Sequence, residues 1–210
     1  MPKKFTDQER DWIRDKMLKE ARHCFEKMGL KKTSIEELTR AAGIAQGSFY
    51  MFFGSKEELY FELIQEEEKR IRKTILELFP PGETCSKEGI KRFLLHSFHM
   101  MDESPLLRQM MSQGEMEQLF RKLPPSLLEH NFTEDHDALR PVIAAWQMEG
   151  ILADVAPETI VSMIRSLMLL TLHKNEIGEE HFTATIDLLV EVLATGMLSM
   201  SKQVGEGDQV

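Results

Sequence analysis

The sequence predicts an all-α protein, a small helical head followed by a larger helical body. Three observations carry this. Apolar residues recur at helical spacing along nearly the whole chain, and no run keeps the period-2 alternation of a half-buried strand. Three tetrads near the N-terminus have the form of a capping box, in which a hydroxyl and a carboxylate satisfy free backbone donors at a helix start: Thr6-Asp7-Gln8-Glu9, Ser34-Ile35-Glu36-Glu37 and Ser55-Lys56-Glu57-Glu58. The composition, 42 % apolar and 29 % charged over 210 residues, suits a globular chain able to bury a sizeable core.

The first helix is expected from Asp7 to Met28. Trp12, Ile13, Met17, Ala21, Cys24, Phe25 and Met28 form its buried stripe, and Gly29 ends it as a left-handed cap. A second runs from Ile35 to Ala42 and stops at Gly43; a third, short one covers Gln46 to Phe53 and stops at Gly54. The fourth begins after Ser55 and continues to Phe79, ahead of Pro80-Pro81-Gly82. Leu59, Tyr60, Leu63 and Ile64 make one end of it apolar, Ile71, Ile75, Leu78 and Phe79 the other. The run 65–70 between them is polar on every face, so the helix either bridges two packed units or breaks at the charge run. Unbroken, it spans about 37 Å at 1.5 Å per residue. Beyond Pro81, helices are expected near 87–103, 105–122, 125–131, 134–149, 157–174 and 180–200. Pro141 should kink or restart the fourth of these, and Gly150 and Gly178 are C-cap candidates. The division that follows is 1–55 for the head, 56–79 for a linking helix and 80–203 for the body.

Charge separates the two parts. Residues 1–55 carry eleven Lys+Arg against eight Asp+Glu, whereas residues 56–210 carry fifteen against twenty-seven, within a total of −9. An acidic chain is a poor general binder of nucleic acid, but a basic head on an acidic body can seat the head on DNA while the body is repelled. The longest strongly apolar stretch, Leu167–Leu172, falls far short of the roughly 20 residues a membrane helix needs. Charged residues follow the basic N-terminus where a signal peptide would be apolar. Two cysteines, Cys24 and Cys85, suit a reducing compartment. A cytoplasmic location without membrane contact is the expectation.

Residues 33–53 carry the sharpest signal. Two short helices joined at a glycine are what a helix-turn-helix needs. Ile35, Leu38 and Ala42 face inward, Gly43 makes the turn, Ile44 plugs the corner, and Phe49, Phe52 and Phe53 anchor the second helix. Gln46, Gly47, Ser48, Tyr50 and Met51 remain to face a groove. Lys56 stands in the first turn of a helix, where it opposes the macrodipole, and a phosphate at that same helix start is one way to compensate.

The stretch from Thr6 to Leu63 resembles the DNA-binding domain of the TetR family of transcriptional repressors. The residues that carry the resemblance are Thr33, Ile35-x-x-Leu38, Ala41-Ala42-Gly43-Ile44, Gly47-Ser48-Phe49-Tyr50-x-Phe52-Phe53 and Ser55-Lys56-Glu57-Glu58-Leu59. The resemblance implies a homodimeric all-α regulator, its three-helix head reading a palindromic operator in double-stranded DNA. It also implies a C-terminal helical ligand-binding and dimerisation domain. By position, Gln46 and Ser48 read bases or adjacent backbone, with Gln46 able to pair bidentately with adenine. Thr33, Gly47, Tyr50, Met51 and Lys56 meet phosphates or line the groove. Ala45 departs from the Ser or Thr cap frequent there, and Met51 from a more polar residue.

In the body, Ile164, Met168 and Leu172, with Leu189, Leu193 and Met197, are expected at the interface between two copies, or else to close a monomer core. Ten of the fourteen methionines lie beyond residue 56. Flexible thioethers suit either plain core or an irregular apolar pocket. The candidates for contact with a small apolar or amphipathic inducer are Phe93, His96, Met100, Met111, Phe120, Trp146, Arg165 and Leu169. Polar members such as His96, Arg165 and the nearby His173 can equally be satisfied interface residues. His96-x-x-His99 and the pair His130 and His136 do not complete a metal site, and no phosphate loop or nucleophile elbow occurs, so neither metal, cofactor nor enzymatic activity is expected. The function so read is a repressor released when inducer favours a conformer that spoils the spacing of its two heads. A constitutive DNA binder or a protein-interaction module without a ligand is the alternative.

Overall fold

The computed structural model describes residues 5–111 and 115–200, without the side chains of 128–136, 171, 172 and 175. Leu172, expected at a dimer interface, and the pair His130 and His136 therefore lie outside the described side chains, as do residues 201–203 of the expected body. The described chain is helical, with ten α-helices: α1 Asp7–Lys32, α2 Ile35–Ala42, α3 Lys56–Leu78, α4 Lys87–Glu103, α5 Pro105–Met110, α6 Glu115–Lys122, α7 Pro125–Met148, α8 Pro157–Leu169, α9 Lys174–Ile177 and α10 Phe182–Ser199. Short 3-10 turns cover Gln46–Met51, Pro81–Thr84 and Leu170–His173.

Two of the three capping boxes close on both sides. Thr6 and Ser34 each accept the N–H of the glutamate three residues on, and Glu9 and Glu37 accept the cap N–H in return. The third closes on one side. Ser55 Oγ accepts the Glu58 N–H at 3.1 Å, but the Glu58 carboxylate takes its donor from Gly54 instead. Helix α1 does not end at Gly29 as expected. The backbone there turns to φ 74°, ψ 175°, then re-enters the helix to Lys32. That geometry belongs almost wholly to glycine and is not the left-handed cap.

Several body helices are cut differently from the periodic pattern. The expected helix 105–122 is two, α5 and α6, while the expected pair 125–131 and 134–149 is one, α7, with Pro141 inside it. The helix expected over 157–174 becomes α8, a 3-10 turn and α9. Apolar spacing marks which residues face inward but not where a backbone changes its hydrogen-bond register.

The chain forms two compact units. The first comprises Met1–Lys69 and Glu103–Leu128, the second Arg70–Asp102 and Glu129–Val210. Thus α3, 23 residues long and unbroken, contributes its first part to one unit and its last part to the other. The sequence division gives residues 103–128 to the body, whereas their contacts lie with the head.

The first unit is centred on Ile13, Met17, Ala21 and Phe25 of α1, Leu59, Tyr60 and Leu63 of α3, and Leu106, Leu107 and Leu119 from α5 and α6, all buried. Trp12 does not join them: 62 % exposed, it has the Lys16 ammonium over its ring at 5.2 Å. In the second unit, Phe79, Phe93 and Trp146 pack edge to face, with centroids 6.2 and 5.9 Å apart. Trp146 is fully buried and its indole N–H donates to the Thr84 carbonyl and hydroxyl, both at 3.0 Å. Glu191 of α10 pairs with Lys87 and Lys91 of α4. Length and composition alone would let α10 cross a membrane, although Asp187 and Glu191 interrupt its apolar residues.

Candidate nucleic-acid interface

The geometry begins at Gly43, whose φ 76°, ψ 30° is the left-handed conformation that ends α2. Its N–H donates to Arg40 O and the Ile44 N–H to Thr39 O. The next element, Gln46–Met51, forms as a 3-10 turn rather than an α-helix. Ala45 offers no side-chain cap, and the turn closes through i to i+3 bonds, Ser48 N–H to Ala45 O and Phe52 N–H to Phe49 O, both 2.9 Å. Phe49 and Phe53 hold it to the core, both buried, with ring centroids 5.9 Å apart. Arg10 donates to the Met51 carbonyl at 3.3 Å, and the Arg14 guanidinium lies over the Phe53 ring. The opposite face is left bare: Gln46 and Gly47 are exposed, Tyr50 is 63 % and Met51 41 % exposed, and Ser48 is half-buried.

Two of the expected contact residues sit differently. Thr33 is buried and its hydroxyl donates to the Gly29 carbonyl at 2.7 Å, so it braces the end of α1 rather than joining the exposed face. Lys56 is half-buried, and its ammonium donates to the Leu30 and Thr33 carbonyls, both at 2.7 Å. The charge of the lysine that opposes the dipole of α3 is thus met by carbonyls at the C-terminal end of α1.

Sequence reasoning missed what α5 and α6 bring to the head. Glu115, buried, accepts the Leu30 N–H at 2.9 Å and the Lys31 N–H at 3.2 Å. It thereby caps the turn of α1 that restarts after Gly29. Any Cβ at Gly29 would collide with that carboxylate. Glu67, also buried, is held by Arg22 at 3.0 Å and the Ser104 hydroxyl at 2.8 Å. Glu57 is 4 % exposed and accepts from Lys122 at 2.7 Å. Burial pushes the Glu57 carboxyl up, but the Lys122 hydrogen bond, its own backbone N–H and the charges of Lys122 and Lys56 hold it below its ordinary value. The sequence shows these glutamates only as charges; their partners lie too far along the chain for any spacing rule.

Ser34, Ile35, Tyr50, Gly54, Ser55, Lys56, Glu57 and Lys122 line an open cleft of about 370 Å³ beside the exposed face of the turn.

Residues 17–63 match the family described as bacterial regulatory proteins, tetR family. The match covers the helix-turn-helix segment and the start of α3. A relative from Bacillus subtilis, an uncharacterised HTH-type transcriptional regulator called YdgC, is 33 % identical over 93 residues, 43 % of this chain and 48 % of that protein. The HTH-type transcriptional repressor AcnR of Corynebacterium efficiens is 33 % identical over 64 residues, 30 % of this chain and 34 % of its own length. The chain therefore spans between a third and a half of these curated relatives. A solved TetR-family regulator from Pectobacterium atrosepticum shares the fold over 92 % of this chain and 97 % of its own, with a TM-score of 0.69 at 18 % identity.

Beyond the matched segment, the expected ligand residues are divided between the two units. Met111 and Phe120 fall in the first unit; Phe93, His96, Met100, Trp146, Arg165 and Leu169 fall in the second. Phe93 and Trp146 are packed ring on ring in its core, His96 is exposed with its ring 5.4 Å from Phe79, and Leu169 is 40 % exposed. Among the described residues no group of three His, Cys, Asp or Glu is placed to hold a metal ion. Of the expected interface residues, Ile164, Met168 and Met197 point into the unit, Leu193 is half-buried and Leu189 is 37 % exposed. Leu189 shares the bare apolar face of α10 with Leu188 and Val192, which are 65 % and 59 % exposed.

Proposed function

We propose that the chain is a sequence-specific DNA-binding repressor that acts as a homodimer and is released from a palindromic operator by a small molecule bound in its C-terminal part. The observation that carries the DNA-binding half is the turn itself: Phe49 and Phe53 buried beneath Gln46, Gly47, Tyr50 and Met51, which are exposed. An anchored turn with a bare polar and aromatic face suits a major groove. Gln46 is the base reader, able to take adenine N6 and N7 together, with Ser48, Tyr50, Met51 and Lys56 on the backbone or along the groove wall. Leu188, Leu189 and Val192 support pairing of two copies through α10, because an isologous contact buries the same face twice. The relatives named as repressors lend the same direction.

The test is selection of duplexes from a randomised pool by the purified chain, then fluorescence anisotropy with the selected duplex and a scrambled one at several salt concentrations. Tight, salt-sensitive binding with strong preference for an inverted repeat, at two chains per site, is the expected result. Binding without preference would remove the operator, and no binding at any salt would remove the DNA altogether in favour of a protein partner.

A further inference from the structure

The cleft beside the turn is lined by a cation that no helix-turn-helix motif contains. Lys122 ends α6, outside residues 17–63, yet lines the same space as Tyr50 and Lys56. Of the two lysines, Lys56 is half-buried and already donates to two carbonyls. Lys122 is the more accessible, with its side chain 48 % exposed. Among the described residues its one acceptor is Glu57, so two of its three N–H donors are left for a ligand. Glu57 does not cancel the site. It is buried, held ionised below its ordinary range, and its charge is matched by Lys122 and Lys56 together, which leaves the cleft with a surplus positive charge. At about 370 Å³ the space equals about a dozen waters at ~30 Å³ each, ample for a tetrahedral anion with its hydration.

Resting on the DNA-binding reading above, we infer that Lys122 is a phosphate-contacting residue of the DNA interface, supplied by α6 and anchored through Glu57. The ligand chemistry is a phosphate oxygen, and the source is the backbone of the duplex read by Gln46. Because a phosphate contact carries no sequence information, Lys122 adds affinity and salt dependence without preference.

The experiment measures anisotropy of the selected and scrambled duplexes across salt for wild type, K122A and K122R, with thermal melting as a check on folding. K122A should weaken both duplexes alike and lower the slope of log affinity against log salt by about one unit. Between 50 and 200 mM salt, wild type should therefore lose roughly three- to four-fold more affinity than K122A. K122R should restore the slope. A folded K122A with the wild-type slope would overturn the inference and leave Lys122 as a brace for Glu57. If K122A unfolds, K122Q is read by the same slope. Inorganic phosphate at constant ionic strength separates the sources: stabilisation by phosphate that depends on Lys122, with an unchanged DNA slope, marks a free-anion site and overturns the DNA contact. Wild-type protein that binds no duplex removes the parent reading, a result distinct from a wild-type binder whose variant keeps its slope.

Discussion

Glu115 and Lys56 hold the same residue from its two sides: the carboxylate accepts the Leu30 N–H at 2.9 Å, and the ammonium donates to the Leu30 carbonyl at 2.7 Å. One peptide segment at the end of α1 is thereby tied to the start of α3 and to α6. Removing the acid partner, E115A, takes the side-chain acceptor from the buried Leu30 N–H. The expected loss is about 1–3 kcal/mol in urea unfolding, and E115Q, which keeps a carbonyl oxygen, should lose less. A cost for E115A under about 0.5 kcal/mol, the range of an ordinary surface change, would show the bond to be incidental.

Gly29 answers the same carboxylate. Its φ 74°, ψ 175° is closed to residues with a Cβ, at a cost of about 1–3 kcal/mol, and the collision with Glu115 adds to that. G29A should therefore cost more than E115A. The double variant should cost less than the two singles together, because truncating Glu115 removes the collision but not the backbone strain. Additive losses would separate the two residues.

Gln46 and Lys56 should fail in different ways. Q46A relaxes sequence preference with melting unchanged, since its side chain is exposed. K56A weakens every duplex and also lowers melting, because two buried-end carbonyls lose their donor. A K56A protein as stable as wild type would contradict the double hold on α1.

Acid should act on Glu57. Its carboxyl is depressed in the folded chain relative to the ordinary 4.5, so its stabilisation is present above that value and lost as pH falls through the lower folded value. In E57Q the contribution is gone throughout, and the difference in melting between wild type and E57Q should shrink below about pH 4.5. A difference that stays constant down to the folded value would mean that Glu57 does not titrate with folding.

The exposed face of α10 makes a prediction about assembly. L188D or V192D places a charge on a surface that is already bare in the single chain, so folding should survive while self-association fails. Light scattering on the eluted protein gives the mass directly; a variant that remains a dimer would move the interface elsewhere.

The head was legible where its chemistry is local. Capping boxes at Thr6 and Ser34, the left-handed Gly43 and the Phe49 anchor all depend on residues within a few positions of one another, and spacing reports such relations. Lys56, Glu115 and Lys122 were legible only as charges. Their partners, Leu30, Lys31, Thr33 and Glu57, lie between 23 and 85 residues away, and no periodicity encodes a distant partner. The same limit applies to α10. Its apolar residues surround much of the helix, so the pattern alone could not say that Met197 turns inward while Leu188 and Val192 stay bare.

The two tryptophans give each unit its own optical signal. Trp12 stands in solvent on the head, its ring beneath the Lys16 ammonium, whereas Trp146 is sealed in the second unit with its indole N–H bonded to Thr84. Iodide should quench the red-shifted emission of the first and leave the blue-shifted emission of the second. A single unlabelled sample can thus report separately on events at the head and in the body, with W12F assigning the two bands.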